Sequence, residues 1–439
     1  MKKLIVFVYL ILFGFAASAQ DEKLISGELK SRYMKTDNAD DLEDFSILTT
    51  YGHVAYQRKI SDWLKLGGQG NILFNWGIDN ISNRDAVTGS GPIYEGNLWN
   101  QRLMTGSAEF ALSAVYAEMN FGKHIITVGR FLKNSPIINA EPWPFPNALE
   151  GVWYEVKPTD KLKVQLAGIT KVAPRFSGEF EGIGESIGVG AVGVNTNGQN
   201  SGYRDNTASD FIGIANVNFV ASEALTIDVW NYFVDNISNT FLIEPTYKVS
   251  DFTFKSMLIL QHRVGEGGNL NPLLQYMTDE NASYFGLRAE RKSGKHTLQL
   301  NFSRIGDSGR LLLPREWGKE PFYTFQRRTR VEGLSDVTSL MAKWQMDWSG
   351  ENRDMRFFVT LGSNKTDLDD FARNKYLVPS AVHLATDFKY DWNSNIFKGM
   401  SLEMLFAYRF LNDDIGTNES FRINRADFFH TDLILSYTF

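Results

Sequence analysis

The chain has 439 residues, no cysteine, 43% hydrophobic and 13% aromatic residues, and a formal net charge of −6. Without cysteine it can form no disulfide and carry no lipid on an amino-terminal thiol, and the mild negative charge leaves no nucleic-acid footprint. A mean hydropathy of −0.24 looks soluble, yet a membrane β-barrel averages to such a value because every second strand residue faces water.

In chain order, the first element reads as an export signal. Met1-Lys2-Lys3 is basic, Leu4 to Ala16 is an apolar run, and Ala17-Ser18-Ala19 is a small-residue cleavage site. An uncleaved anchor is the alternative, but the run is short for a spanning helix. The expected organisation is a signal peptide over 1–19 and one barrel domain over 20–439. Beyond the signal, no stretch of about 18 consecutive apolar residues could form a membrane helix.

Period-two apolarity predicts strands near 24–34, 46–58, 63–76, 111–121, 124–131, 149–157, 161–170, 210–220 and 224–234. It predicts further strands near 239–248, 252–262, 281–291, 296–305, 335–347, 354–362, 380–390, 400–410 and 426–439. Their connections alternate in length. Those at 59–62, 122–123, 158–160, 221–223, 250–251 and 292–295 are short; those at 77–110, 132–148, 171–209, 263–280, 306–334, 363–379 and 411–425 are long. The connection at 235–238 is a short exception on the long side, and 348–353 and 391–399 are longer members of the short side. Tight inner turns and long outer loops are the signature of an outer-membrane barrel, here an all-β, antiparallel transmembrane barrel of about 18 strands.

Strand phase assigns sides. Leu402, Met404, Phe406, Tyr408 and Phe410 turn to lipid, with Glu403 and Arg409 turned inward. Phe285 and Leu287 face out, Arg288 and Glu290 in; Phe254 and Leu258 face out, Lys255 in. The last residues, Leu433 to Phe439, alternate likewise and end on an aromatic residue. They read as the closing strand, the segment that the barrel-assembly machinery would engage. Strand 124–131 leaves the direction of Arg130 open.

A barrel this wide cannot be filled by its wall side chains, so a loop is expected to constrict it. The candidate is 132–149, stiffened by Pro136, Pro142, Pro144 and Pro146. Its polar lining would be Asn139, Glu141 and Asn147, facing Lys255, Arg288 and Arg409 on the wall, with Glu290 and Glu403 as inward acids. A second dense patch, Arg327-Arg328-Thr329-Arg330 with Arg315 upstream, would draw anions to the mouth, bind lipopolysaccharide, or pair with Glu316, Glu320 and Glu332.

Nothing in the chain carries a nucleophile or metal motif. His53, His124, His262, His296, His383 and His430 fall on six different strands, and sets such as Ser436, His430 and Asp432 arise from strand phase alone. The run Gly182 to Gly190 resembles a phosphate-cradling loop in glycine content, without the strand-turn-helix context that chemistry needs, and reads as an outer loop.

Two segments carry a family resemblance. Gly129-Arg130 through Pro136-Ile137-Ile138-Asn139 to Glu150-Gly151-Val152-Trp153 is one. Leu313-Pro314-Arg315-Glu316-Trp317-Gly318-Lys319-Glu320-Pro321-Phe322-Tyr323-Thr324-Phe325, followed by Arg327, Arg328, Arg330, Glu332 and Gly333, is the other. With Arg32 to Asn38 and Phe397 to Leu402, they resemble the OprD-type substrate-specific outer-membrane porins, in particular a poorly characterised branch. The resemblance implies an 18-stranded monomeric barrel whose third outer loop folds inward, and a lumenal basic ladder that leads small anionic or zwitterionic solutes through. This chain departs from the ladder. Its inward candidates are mixed, with Lys65, Lys163, Lys248, Lys255, Arg288, Lys343, Arg356 and Arg409 against Glu118, Asp228, Glu244, Glu290, Asp387, Glu403 and Asp432. The expectation is a passive porin in the bacterial outer membrane. It would act as a monomer or weak oligomer, pass a small polar or charged solute without a cofactor, and contact lipid and lipopolysaccharide. A barrel enzyme of lipase or protease type, and a plugged structural or adhesion barrel, are the alternatives.

Overall fold

The computed structural model describes residues 24–140, 143–175 and 177–439; the expected signal peptide and Glu141 lie outside them. The wall is a closed antiparallel barrel of 18 strands, with one further short strand beside it. In chain order the strands are β1 (Ile25–Asp37), β2 (Phe45–Lys59), β3 (Leu64–Asp79), β4 (Ala108–Phe121), β5 (His124–Phe131), β6 (Ala148–Thr159) and β7 (Leu162–Ala173). The two-residue β8 (Glu181–Gly182) pairs with β7 outside the wall. Then come β9 (Ile212–Val220), β10 (Leu225–Val234), β11 (Ser238–Val249), β12 (Phe252–Arg263), β13 (Asn281–Ser293) and β14 (His296–Ile305). The last are β15 (Val337–Gly350), β16 (Arg353–Lys365), β17 (Ala381–Trp392), β18 (Met400–Leu411) and β19 (Phe428–Thr438).

Each wall strand pairs with its sequence neighbours, and β1 pairs with β19 in the register Glu28↔Thr438 to Asp37↔Phe429. Closure leaves no open edge, which a wall facing hydrocarbon requires because lipid offers backbone groups no partner. The terminal Phe439 completes the seam: its N–H donates to the Gly27 carbonyl at 3.0 Å and its carbonyl accepts from Gly27 at 3.2 Å.

Every predicted strand has a counterpart in the wall; some outer ends run further than the alternation alone reaches, as in β1 to Asp37 and β3 to Asp79, while β9, β15 and β19 begin two residues later than predicted. The inner turn expected over 348–353 is tighter, because β15 continues to Gly350 and β16 begins at Arg353; its polar tail keeps pairing past the apolar zone. The side assignment follows the exposure pattern. Phe254, Leu258, Phe285, Leu287, Leu384, Phe406 and Phe410 are exposed outward, while Ala385, Asp387, Leu405 and Arg409 are buried on the inner face. Arg130 shares the outward phase of Val128, near the outer end of β5, where its Nε donates to Glu150 at 2.6 Å. A bulge in β4 shifts the register between Gln69 and Gly70 of β3, so Ser113 and Ala114 are both buried. Exposed Trp63, Phe121, Phe252, Trp348 and Tyr437 ring the inner rim at the level of an aromatic girdle. Among the described residues no helix is long and apolar enough to cross a membrane.

The loops pack inside the barrel. Loop residues Ile138, Ile187, Leu311, Leu313 and Trp317 share one buried cluster with wall residues Ile169, Ile212, Trp230, Ile259 and Tyr284.

Candidate functional site

The lumen is shaped by two infolded loops. Residues 143–146 of loop 132–147 lie against the inner face of β1–β3. The Asn71 side chain donates to the Pro144 carbonyl at 3.2 Å, and Phe145 is buried. The Trp143 ring stands under the guanidiniums of Arg32, at 5.0 Å, and Arg175, at 5.4 Å. A cavity of about 260 Å³ remains there, lined by Glu28, Lys30, Tyr51, His53, Trp143 and Pro146 among others.

Loop 306–336 enters beside it and is tied to the wall by charge. Arg328 donates to Asp432 at 2.6 Å and to His430 Nε2 at 2.7 Å. Asp432 also takes two hydrogen bonds from Arg32, at 2.8 and 2.6 Å, so one carboxylate in the lumen joins two guanidiniums. Because His430 Nε2 accepts from Arg328, a neutral ring carries its proton on Nδ1, which lies 2.9 Å from Thr36 Oγ1. Thr36 in turn donates to Glu95 at 2.6 Å. Glu95 comes from a third outer loop, 80–107, and is fully buried. Burial lifts its carboxyl to about 7, against the pull of the Thr36 hydroxyl.

Beyond the Arg328–Asp432–His430 cluster, Arg327 pairs with Asp387 at 2.8 Å, Arg315 pairs with Glu332, and Arg330 with Glu320 at 3.6 Å. The Lys375 amine of loop 366–380 is buried over the rings of Tyr203, at 4.3 Å, and Tyr276, at 4.5 Å. Burial lowers it to about 7, opposed by Glu332 and Glu316.

A cleft of about 460 Å³ lies between segment 319–327 and the wall from β11 to β17. Strand phase sets acids beside bases across neighbouring strands, so much of its charge cancels. Lys255 pairs with Glu244 at 2.9 Å, and Tyr323 donates to the same carboxylate at 2.8 Å. Three cations of the cleft have no carboxylate partner among the described residues. Arg288 donates to Asn301 at 2.7 Å and stacks on Tyr323 at 4.6 Å. Lys343 sits 4.0 Å above the Phe358 ring, and Lys319 5.1 Å from the Phe325 ring. The cleft therefore offers net positive charge on an aromatic floor.

The sequence-derived residues separate into groups. Lys255 and Arg288 line the cleft. Arg409 is buried and donates to the Pro379 carbonyl at 3.0 Å, which points it at a loop. Glu290 accepts from Gln299 at 2.6 Å, and Glu403 lies 3.9 Å from Lys389. Asn139 and Asn147 are bound to the second loop: Asn139 Oδ1 accepts from Lys319 N–H at 3.1 Å and Asn147 donates to the Trp317 carbonyl at 2.9 Å. Glu141 lies outside the described residues. Of the basic patch, Arg327 and Arg328 reach down to the wall, Arg315 pairs with Glu332 of its own loop and lies 3.5 Å from the Tyr376 ring of loop 366–380, and Arg330 stays within its own loop; none forms a free cluster at the mouth. The set Ser436, His430 and Asp432 does not meet as a triad, because Ser436 bonds Ser401 at 2.6 Å while Asp432 holds the two arginines. Sequence reasoning missed Glu95, Glu316, Trp317, Lys319 and Tyr323 as site residues. The Pro314-to-Phe325 segment marked four of these five in sequence, but no periodicity places a loop side chain.

No protein-family model and no curated protein matches the sequence. Solved structures do match by shape. OccAB4 of Acinetobacter baumannii is 16% identical with a TM-score of 0.66, over 94% of this chain and 97% of that one. OccK9 (OpdG) of Pseudomonas aeruginosa is 14% identical with a TM-score of 0.70, over 94% and 97%. OccAB3 of A. baumannii is 13% identical with a TM-score of 0.69, over 94% and 98%. The fold is that of the OprD-type porins. At such identity the likeness shows the fold alone, and the side chains of the cleft have to be read on their own.

Proposed function

We propose that this chain is an outer-membrane porin that passes small polar or anionic solutes by passive diffusion, with the cleft beside segment 319–327 as its narrow passage. The observation that carries this reading is the set of three cations, Arg288, Lys319 and Lys343, left without carboxylate partners among the described residues in a lumenal cleft. In a restricted, partly dehydrated passage such charges replace the water that an anion or a polar acceptor gives up, and an apolar solute gains nothing from them. The aromatic floor of Tyr323, Phe325 and Phe358 gives the apolar part of a solute a surface to slide over. The signal-like sequence of residues 1–19, the lipid-facing phase and the closed seam support placement in the outer membrane, where lipid and lipopolysaccharide would surround the wall and the terminal strand would serve assembly.

The test is a planar-bilayer recording of the purified protein under a salt gradient. The wild type gives discrete conductance steps and an anion-leaning reversal potential; Lys343→Glu moves that potential toward cations. A protein that folds and inserts but gives no steps is a plugged barrel, and this reading fails.

A further inference from the structure

We propose that Glu316 and Trp317 are positioning residues for permeation: they form a joint that hangs the cleft-lining segment 319–327 from two neighbouring outer loops and so sets the width of the passage. The joint matters only if the cleft conducts, so it rests on the channel reading.

The two side chains are 3% and 2% exposed. Glu316 Oε1 accepts the backbone N–H groups of Gly188 and Gly190, both at 3.0 Å. Arg204 holds the outer side of that cradle through the carbonyls of the same two glycines, at 2.5 Å each. The glycine-rich run is therefore an anion cradle after all, and its anion is the protein's own carboxylate. The Glu316 carbonyl accepts from Arg175 N–H at 3.2 Å, and the Trp317 indole donates to Ser186 at 2.9 Å. These bonds fix the joint to loop 174–211.

Loop 132–147 supplies the other half. The Trp317 carbonyl accepts from Asn139 N–H at 3.0 Å and from the Asn147 side chain at 2.9 Å. Gly318 has φ +154, and a Cβ there would stand 2.7 Å from the Asn139 amide nitrogen, so the chain turns where no other residue fits. Immediately after it, Lys319 to Arg327 line the cleft. Among the described residues segment 319–327 has no strand pairing to the wall; the Arg327 ion pair, hydrogen bonds of Tyr323, the Phe322 ring on Tyr284 at 4.4 Å, the Glu320 carboxylate on the N–H groups of Val331 and Glu332, and the joint behind it hold its position. Glu316 and Glu320 are each a charged acceptor for two backbone N–H groups, but the bonds of Glu320 stay within loop 306–336 and only those of Glu316 tie the segment to another loop.

Planar bilayers test this with the full-length protein. Glu316→Ala leaves two buried donors without an acceptor and frees the segment; open-channel current noise should rise roughly twofold and the reversal potential should move. Glu316→Gln keeps one acceptor oxygen and should fall back toward wild type. Acetate fits the space vacated in Glu316→Ala, so bathing acetate should quiet that variant while equimolar chloride does not, and wild type in the same acetate should not change. Noise and potential in Glu316→Ala equal to wild type, or equal effects of acetate and chloride, overturn the joint. If Glu316→Ala loses the heat-modifiable gel shift of a folded barrel, a second variant decides. The chain has no cysteine of its own, so N139C/K319C can be bridged cleanly. The oxidised form should conduct quietly and the reduced form slightly more noisily, as loss of the Asn139 side-chain bonds predicts, and equal noise in both states overturns the joint. A conducting wild type with an unaltered Glu316→Ala ends the joint alone; a wild type without channel steps ends the channel reading with it.

Discussion

Loops 132–147 and 306–336 both turn into the lumen, yet they are held there by different means. The first carries four prolines in its sequence, whose fixed φ stiffens the chain and removes N–H donors that would otherwise seek a strand. Its contacts are neutral hydrogen bonds and ring packing: Asn71 to Pro144, a tryptophan between guanidiniums, and Asn139 and Asn147 against the neighbouring loop. The second is held to the wall by ion pairs, Arg327 to Asp387 and Arg328 to Asp432. Stiffness is a property of the segment that has it, whereas an ion pair belongs to two segments. The difference predicts that the two loops will respond to different perturbations.

The largest effect should come from removing either loop. Replacing 319–327 with a Gly-Ser linker should raise single-channel conductance several-fold and erase anion preference, because wall and loop cations are then no longer held together, an order-of-magnitude expectation from widening a restricted passage. Replacing 137–147 should raise conductance less, since the cleft keeps its wall and loses a support. Equal conductance after both replacements would break the distinction between lining and support.

Next in size is Asp432→Ala. It leaves Arg32 and Arg328 side by side without their shared carboxylate, a change worth about 3–5 kcal/mol for a broken buried pair. Limited proteolysis should then cut loop 306–336 and spare 132–147. Cleavage of both at the same rate would mean that the loops move as one body.

A smaller effect is pH-dependent. Glu95 is lifted from 4.5 to about 7 by burial. A raised carboxyl contributes stability that is full below pH 4.5 and is lost as pH rises through about 7. The shift corresponds to roughly 3 kcal/mol at most. Lys375, lowered from 10.5 to about 7 by burial, has the opposite sign: its contribution is full above 10.5 and is lost as pH falls through about 7. Hydrogen exchange at pH values on either side of neutrality should therefore show loop 80–107 and the Arg328 end of the second loop loosening as pH rises. Loop 366–380 should loosen as pH falls, and 132–147 should stay unmoved. Glu95→Gln should abolish the first dependence and keep the second; persistence of the first would assign it to another group.

The smallest effect is Asn139→Ala. It removes the side-chain hydrogen bonds to Lys319 at 3.1 Å, at a cost of about 1 kcal/mol. It should increase current noise slightly without altering the barrel's heat-modifiable shift. No measurable change would place the support entirely in the backbone bond and Asn147.

The sequence by itself determined the wall. Alternation along a strand is local, so Phe406 and Phe410 turning out while Arg409 turns in could be read from neighbouring residues. The alternating loop lengths then ordered the strands. The β4 bulge and the extra reach of β1 and β3 were not legible, because they depend on which residue a partner strand presents. Tertiary structure alone decided the site. Glu95 meets Thr36 and His430, Arg328 meets Asp432, and Glu316 meets Gly188 and Gly190 across sequence separations of 59, 104 and more than a hundred residues. A loop has no period to assign a face, and the worth of each of these charges depends on burial and on a partner that appears only when the barrel closes and brings its outer loops over one lumen.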